Sequence, residues 1–171
     1  EGAEALRILD EIVAQHALEG PVDDPSLVFA LDQLATLHLR ERRIDRAESL
    51  LRHYLDQTRR HFGDEHGQTF TAQRKLADVL MVRHAYAEAE PLLDAVLTGL
   101  TAIHGETHFS IGLVHERRSA LWRALGRFAA ALEAIEASRA ITVHLRGDAD
   151  PQVAVLDLSL IHISEPTRLR S

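Results

Sequence analysis

The 171-residue chain contains no cysteine and is poor in residues that break helices. The absence of cysteine excludes disulfides, thiolate metal sites and cysteine nucleophiles, and it agrees with an expected cytoplasmic location. No apolar run reaches the ~20 residues that a membrane helix requires, so we expect no membrane segment. Only five prolines and nine glycines are present. Because the chain begins with Glu1 rather than methionine, we expect it to be part of a longer protein.

Positive charge is in deficit, since 19 basic residues stand against 26 acidic ones and the formal net charge is −7. This balance argues against a nucleic-acid partner, which requires a basic surface. Hydrophobic residues make up 46% of the chain, enough for a buried core. Helix-forming residues dominate, with apolar positions at helical spacing, and they predict an all-α protein.

The sequence repeats with a period of 42 residues and without gaps. Three series carry the period: Ala5, Ala47, Ala89 and Ala131; Leu9, Leu51, Leu93 and Ile135; Gly63, Gly105 and Gly147. Each period predicts two helices, called A and B. The A helices are expected at about 26–41, 68–83 and 110–125, and the B helices at about 45–61, 87–103 and 129–145. A lone B helix is expected at 3–17, and the beginning of a further A helix at 151–157.

Such helix pairs cannot bury their apolar faces alone and must stack into an array. We therefore divide the chain into a half repeat and three full repeats, followed by a truncated helix. The ranges are about 3–25 for the half repeat, 26–67, 68–109 and 110–148 for the full repeats, and 149–157 for the truncated helix.

Several residues of the first full repeat resemble a tetratricopeptide repeat (TPR). They are Leu34-Ala35, Ile44, Ala47-Glu48, Leu50-Leu51 and the turn Gly63-Asp64-Glu65-His66. The 42-residue spacing is similar to the variant found in kinesin light chains. The resemblance implies a right-handed α-solenoid that binds proteins or peptides as a scaffold or regulatory module, with neither enzymatic activity nor a cofactor. HEAT and armadillo repeats have similar periods and are the second interpretation.

In TPR arrays helix A lines the concave surface, and the resemblance implies a peptide-binding groove on this surface. Its expected residues are Asp32, Gln33, Thr36, Leu39, Arg74, Lys75, Asp78, Met81, Glu116, Arg117 and Arg123. Four of these are cations in an acidic protein, which indicates a partner with an acidic segment. The alternative is a solvated face whose cations pair with Asp78 and Glu116. The paired asparagines of kinesin-type repeats are replaced by Asp32-Gln33, Arg74-Lys75 and Glu116-Arg117.

Two other functions remain as alternatives. The array is similar to those attached to bacterial serine/threonine kinases and could be the sensor arm of such an enzyme. The second alternative is a metal-dependent enzyme, suggested by eleven histidines. His104 and His108 are spaced as ligands, but Gly105 between them breaks the helix face that a metal motif requires.

Other polar residues of the repeat have structural interpretations. His66 and His108 correspond to Asp24 and Asp150, so we predict that these positions cap helices. Glu48 and Glu90 lie near the beginnings of B helices, where a negative charge interacts favourably with the helix dipole. Trp122 is predicted to pack against other helices rather than to bind a ligand.

The last segment, 158–171, differs in character from the repeats. The first eleven residues of this segment, Leu158–Arg168, resemble the conceptual translation of a transposon-end sequencing adaptor. We therefore expect a non-native tail without the helical apolar pattern. With the array cut near Asp157, helix B of the third repeat is expected to expose apolar surface.

Overall fold

The computed structural model describes residues 4, 7, 8, 11 and 13 and the continuous stretch 25–168. Within this stretch every regular element is an α-helix. The helices are α1 (Pro25–Arg40), α2 (Ile44–Phe62), α3 (Gly67–Val82), α4 (Tyr86–His104), α5 (Phe109–Ala124), α6 (Phe128–Arg146) and α7 (Pro151–Arg168). The all-α prediction is confirmed, and the first six helices begin and end close to the predicted bounds. The predicted helix 3–17 lies largely outside the described residues, although the described positions within it are helical.

The turn from each A helix to its B helix has the same backbone in all three repeats. Arg42, His84 and Gly126 adopt the left-handed conformation, with φ of 57°, 64° and 72°. In the first turn the N–H of Arg43 donates to the carbonyl of His38 at 2.8 Å, and the other two turns contain the equivalent bond. This is the Schellman pattern that ends a helix sharply. The backbone conformation of this turn therefore repeats with the same 42-residue period as the sequence.

The turns from B helices to the next A helices are capped as predicted. The Nδ1 atoms of His66 and His108 accept hydrogen bonds from the backbone N–H groups two residues later, both at 3.2 Å. Asp150 caps α7 in the same way at 2.8 Å. Asp24, the remaining member of the series, lies outside the described residues. These side chains satisfy N–H groups that a helix beginning leaves without partners.

The chain divides into an N-terminal unit, Glu1–Ala85, and a C-terminal unit, Tyr86–Ser171. In the N-terminal unit α2 packs on α1 and on α3. The side chains of Leu34, Ala47 and Tyr54 are at most 1% exposed there. Large and small apolar residues are thus buried in the same unit, as the repeat pattern predicts.

In the C-terminal unit α5 packs on α4 and α6, and α6 packs on α7. Its core cluster consists of Ala131, Ile135, Leu156 and Ile163. Ala131 is fully buried, and its carbonyl accepts a 2.8 Å hydrogen bond from Ser119 on α5. The small side chain of Ala131 thus allows α5 and α6 to approach closely.

The end of the chain differs from the sequence-based prediction. The A helix that was expected to stop near Asp157 continues as α7 to Arg168. Leu160 packs against the core cluster one turn after Leu156, and Ile163 belongs to that cluster two turns after Leu156, so the helical apolar spacing does continue. The prediction that α6 exposes its apolar surface is also wrong, because α7 covers that surface. The non-native origin of residues 158–171 stays a prediction.

No helix among the described residues is long and apolar enough to cross a membrane.

Candidate functional site

A pocket of about 100 Å³ opens in the N-terminal unit between α1 and α3, with α2 contributing to its floor. It is lined by Ala35, Thr36, Leu39, Leu51, Lys75, Asp78 and Val79. Four of these residues come from the predicted groove, namely Thr36, Leu39, Lys75 and Asp78. The two A helices therefore place these predicted residues around one cavity.

The C-terminal unit contains a second pocket, of about 140 Å³. It lies between α5 and α7 and is lined by Glu116, Arg117, Ser119, Ala120, Arg123, Ile135, Val155, Leu156, Ser159 and Ile163. Glu116, Arg117 and Arg123 belong to the predicted groove. Both arginines that the sequence assigned to the groove of the third repeat thus line this cavity.

The two pockets occupy equivalent places in their repeats. Their linings correspond across two periods of 42 residues: Ala35 with Ser119, Thr36 with Ala120, Leu39 with Arg123, Leu51 with Ile135, Lys75 with Ser159, and Val79 with Ile163. The repeat therefore builds the same cavity in each unit while its polar residues differ. In both, an aliphatic B-helix residue forms the floor.

Three residues of the predicted groove, Gln33, Arg74 and Met81, are half-buried but do not line these pockets. Arg74 instead approaches Asp78 one turn later, with 3.5 Å between Nη1 and Oδ2. This is one of the internal pairs that the solvated-face alternative expected. The side chain of Asp32 lies outside the described residues.

Glu116 is held within the C-terminal unit. Its Oε1 accepts hydrogen bonds from Ser138 on α6 at 3.2 Å and from Gln152 on α7 at 3.4 Å. Glu116 thus connects three helices at the edge of the pocket. The expected common wall of Arg74 and Arg117 stays a prediction, because the two residues belong to different units.

The sequence-based prediction of the groove did not include the pocket floors, because it took all of its residues from A helices. Leu51 and Ile135 come from B helices and belong to an apolar series that the repeat itself displays. A search for B-helix aliphatics in register with the groove positions would have found them.

The histidines do not form a metal site among the described residues, where no group of three or more His, Asp or Glu side chains could hold an ion. The rings of His104 and His108 stack with their centroids 4.3 Å apart. His115 on α5 is half-buried, and burial, followed by the charge of Arg118, lowers the pKa of its imidazole. A lowered pKa favours the neutral ring.

A buried carboxylate on a B helix, that of Glu48, connects neighbouring elements. Glu48 is only 7% exposed and accepts hydrogen bonds from Arg52 on its own helix and from Arg83 after α3. Burial alone would raise the pKa of Glu48, but the two arginines outweigh it and the net shift is downward. This side chain is therefore ionised and joins α2 to the end of α3.

Trp122 packs as predicted. It lies against the core cluster of the C-terminal unit, and the guanidinium carbon of Arg118 stands 4.4 Å from the ring centroid. Arg118 also pairs with Asp94 on α4 at 2.9 Å. One face of the indole is thus already covered by the protein's own cation.

Comparison with solved structures identifies the architecture. The chain superposes on a kinesin-light-chain-type protein of Podosopora anserina with nearly identical TPR-like repeats. The TM-score is 0.82 at 21% identity, over 99% of this chain and 80% of that one. It also matches BtubC (BKLC) from P. vanneervenii, with a TM-score of 0.81 at 21% identity over 95% of this chain. The fold is that of a TPR-like repeat array.

The match covers 65% of the length of BtubC, so this chain spans less than two thirds of that protein. No protein-family model and no curated protein matches the chain. The likeness to the solved structures therefore establishes the fold alone.

Proposed function

We propose that the chain is a non-enzymatic scaffold that binds a protein or peptide through its A-helix pockets, and that this partner carries an acidic segment. The observation that supports this function is the recurrence of one pocket in both units. Each pocket combines polar A-helix side chains with an aliphatic floor. Such a lining suits a partner side chain that has an apolar stem and a polar end.

The C-terminal pocket supports the acidic character of the partner. Arg117 and Arg123 line this pocket, and the planar fork of donors in a guanidinium matches a carboxylate. Ile135 and Leu156 line the same cavity and would contact the methylene groups of a glutamate. Because Glu116 already accepts two internal hydrogen bonds, its carboxylate is occupied by the protein.

The N-terminal pocket has a mixed character. Lys75 and Asp78 stand opposite Thr36 and Leu39, so both signs of charge border the cavity. We propose that this pocket accepts a polar side chain of a partner and adds specificity, while the C-terminal pocket supplies charge recognition.

A direct test uses a fluorescein-labelled peptide in which glutamate alternates with leucine, and fluorescence polarisation as the measurement. We expect saturable binding that weakens as salt rises, because exposed charges are screened over ~10 Å at 0.1 M. The combined change Arg117→Ala and Arg123→Ala should weaken binding about tenfold or more, since a charge-assisted hydrogen bond contributes ~1.5–3 kcal/mol.

The matched control replaces two exposed arginines of α2 that lie outside the pockets, Arg46→Ala and Arg60→Ala. These changes remove the same charge and should leave the affinity close to that of the original chain. Equal losses in both double variants would show that net charge rather than the pocket binds the peptide. Equal binding of a lysine–leucine peptide would contradict the acidic partner.

A further inference from the structure

Positive charge is concentrated at the first A–B turn of the N-terminal unit, although the chain as a whole carries a net charge of −7. Arg40 ends α1, Arg42 lies in the turn, and Arg46 lies in the first turn of α2. All three are exposed, and within the described part of the chain their side chains form no ion pair or hydrogen bond. These residues, Arg40, Arg42 and Arg46, are called the arginine cluster.

The fold brings the ends of three helices to this place. The N–H of Arg43 donates to the carbonyl of His38 at 2.8 Å, so the chain reverses between α1 and α2 within a few residues. Arg83, directly after α3, reaches the same turn, with 3.9 Å between its Nη1 and Oδ1 of Asp45. A further guanidinium from the next A helix therefore lies beside the arginine cluster.

Carboxylates near the turn already have cationic partners of their own. Glu41 pairs with Arg43 at 3.0 Å. Glu48 accepts hydrogen bonds from both Arg52 and Arg83. The arginine cluster is thus a local surplus of positive charge that these carboxylates do not neutralise.

The fold of the repeat does not require these arginines. The three A–B turns have the same left-handed residue, yet the other two repeats carry different side chains around it. The equivalent residues are Val82 and Ala124 for Arg40, His84 and Gly126 for Arg42, and Glu88 and Ala130 for Arg46. Arg42 even keeps a φ of 57°, which is unfavourable for a residue with a Cβ. Strain of this kind at an exposed charged residue points to a role in binding.

We propose that the arginine cluster binds a phosphorylated serine or threonine in a segment of a partner protein. A phosphate monoester carries about −1.5 to −2 charges and three acceptor oxygens, whereas a carboxylate carries one charge and two oxygens. Guanidinium groups match phosphate oxygens through their planar fork of donors. Three exposed arginines within seven residues of sequence therefore suit a phosphate better than a single carboxylate. This interaction goes beyond partner binding in the pockets and does not depend on it.

The surroundings of the arginine cluster favour a phosphopeptide over a nucleic acid or a membrane. Glu41 and Asp45 are exposed at the same turn. A nucleic-acid backbone or an anionic membrane extends its negative charge over a wide area and would meet these carboxylates, while one phosphate can bind between them. Val82 is 50% exposed next to Arg83 and offers an apolar contact for a peptide residue beside the phosphate.

The test compares three fluorescein-labelled peptides of glycine, alanine and valine that differ at one position, which is phosphoserine, serine or glutamate. Fluorescence polarisation should show saturable binding of the phosphopeptide, with at least about tenfold weaker binding of the other two. The combined change Arg42→Gly and Arg46→Ala should weaken binding of the phosphopeptide about tenfold or more, because it removes charge-assisted hydrogen bonds. Arg42→Gly relieves an unfavourable backbone conformation, so the loss of affinity should come without a loss of stability.

The matched control is Arg59→Ala combined with Arg60→Ala, which removes the same charge from the other end of α2. It should leave the affinity for the phosphopeptide unchanged. Thermal unfolding establishes that each variant is folded, and Arg40→Ala replaces the double variant if that one is not. Equal losses in the control, equal binding of the glutamate peptide, or full affinity after the changes in the arginine cluster would overturn the proposal. So would binding to phosphatidylcholine vesicles that contain phosphatidylinositol bisphosphate without binding to the phosphopeptide.

Discussion

The indole N–H of Trp122 donates a 2.9 Å hydrogen bond to the carboxylate of Glu90. The same carboxylate oxygen accepts a 2.7 Å bond from the guanidinium of Arg127, directly before α6. Glu90 therefore connects α4 to α5 and to the beginning of α6. The sequence-based interpretation assigned Glu90 only a favourable interaction with the helix dipole, and the tertiary contacts add this connecting role.

Replacing Glu90 should destabilise the chain more than replacing an exposed carboxylate. Glu90→Ala leaves the indole N–H and a guanidinium without their acceptor, so we expect the free energy of unfolding to fall by about 1–3 kcal/mol. Glu133→Ala removes an exposed carboxylate from α6 and should change it by less than ~0.5 kcal/mol. Urea denaturation measures both. A double-mutant cycle with Trp122→Phe should give a coupling energy different from zero, and additivity would contradict the bond.

Glu48 should make stability depend on pH in the acid range. Because its pKa is lowered in the folded chain, its contribution is present above the ordinary value of 4.5 and is lost as pH falls through the folded pKa. We expect Glu48→Gln to reduce the free energy of unfolding by about 1–3 kcal/mol at neutral pH. The difference from the original chain should shrink below pH 4.5. The exposed turn residue Glu65, changed to Gln, is the control, and a pH-independent difference for Glu48→Gln would refute the ionic contribution.

The left-handed residue of the first A–B turn offers a stabilising substitution. Arg42 has a φ of 57°, which is unfavourable for residues with a Cβ, whereas Gly126 occupies the same place in the third repeat. Arg42→Gly should therefore raise the free energy of unfolding by about 1 kcal/mol, and Gly126→Ala should lower it by a similar amount. Arg43→Gly is the control, because Arg43 has a φ of −89° and gains nothing from glycine. Thermal unfolding measures these changes in stability. A loss of stability in Arg42→Gly would contradict the prediction that the left-handed conformation of Arg42 is unfavourable.

The capping position before α5 should accept aspartate but not alanine. His108→Ala removes the acceptor for the N–H of Ser110 and should cost about 0.5–2 kcal/mol. His108→Asp should retain most of the stability, because Asp150 performs the same role before α7. Chemical denaturation of the two variants provides the comparison. Equal stability of both would mean that the imidazole does not act as a cap.

Local features could be read from the sequence because they depend on residues close together in the chain. Hydrogen bonds within helices, the glycine turns and the caps at His66 and His108 all involve neighbours within a few positions. The helix beyond Asp157 was missed because the resemblance of residues 158–168 to a translated adaptor predicted a tail without the helical apolar pattern. The packing of Leu160 and Ile163 with the α6 residues Ala131 and Ile135 of the core cluster is a long-range contact that local preference cannot report.

The sequence by itself determined the repeat period, the all-α fold and the A-helix positions that supply residues to the pocket walls. Only the tertiary structure decided that Lys75 lines a pocket while its neighbour Arg74 pairs with Asp78. It also decided that B-helix residues such as Leu51 form the floors. The physical reason is that a period specifies which side of a helix is buried, whereas a cavity depends on the packing distance between helices far apart in sequence.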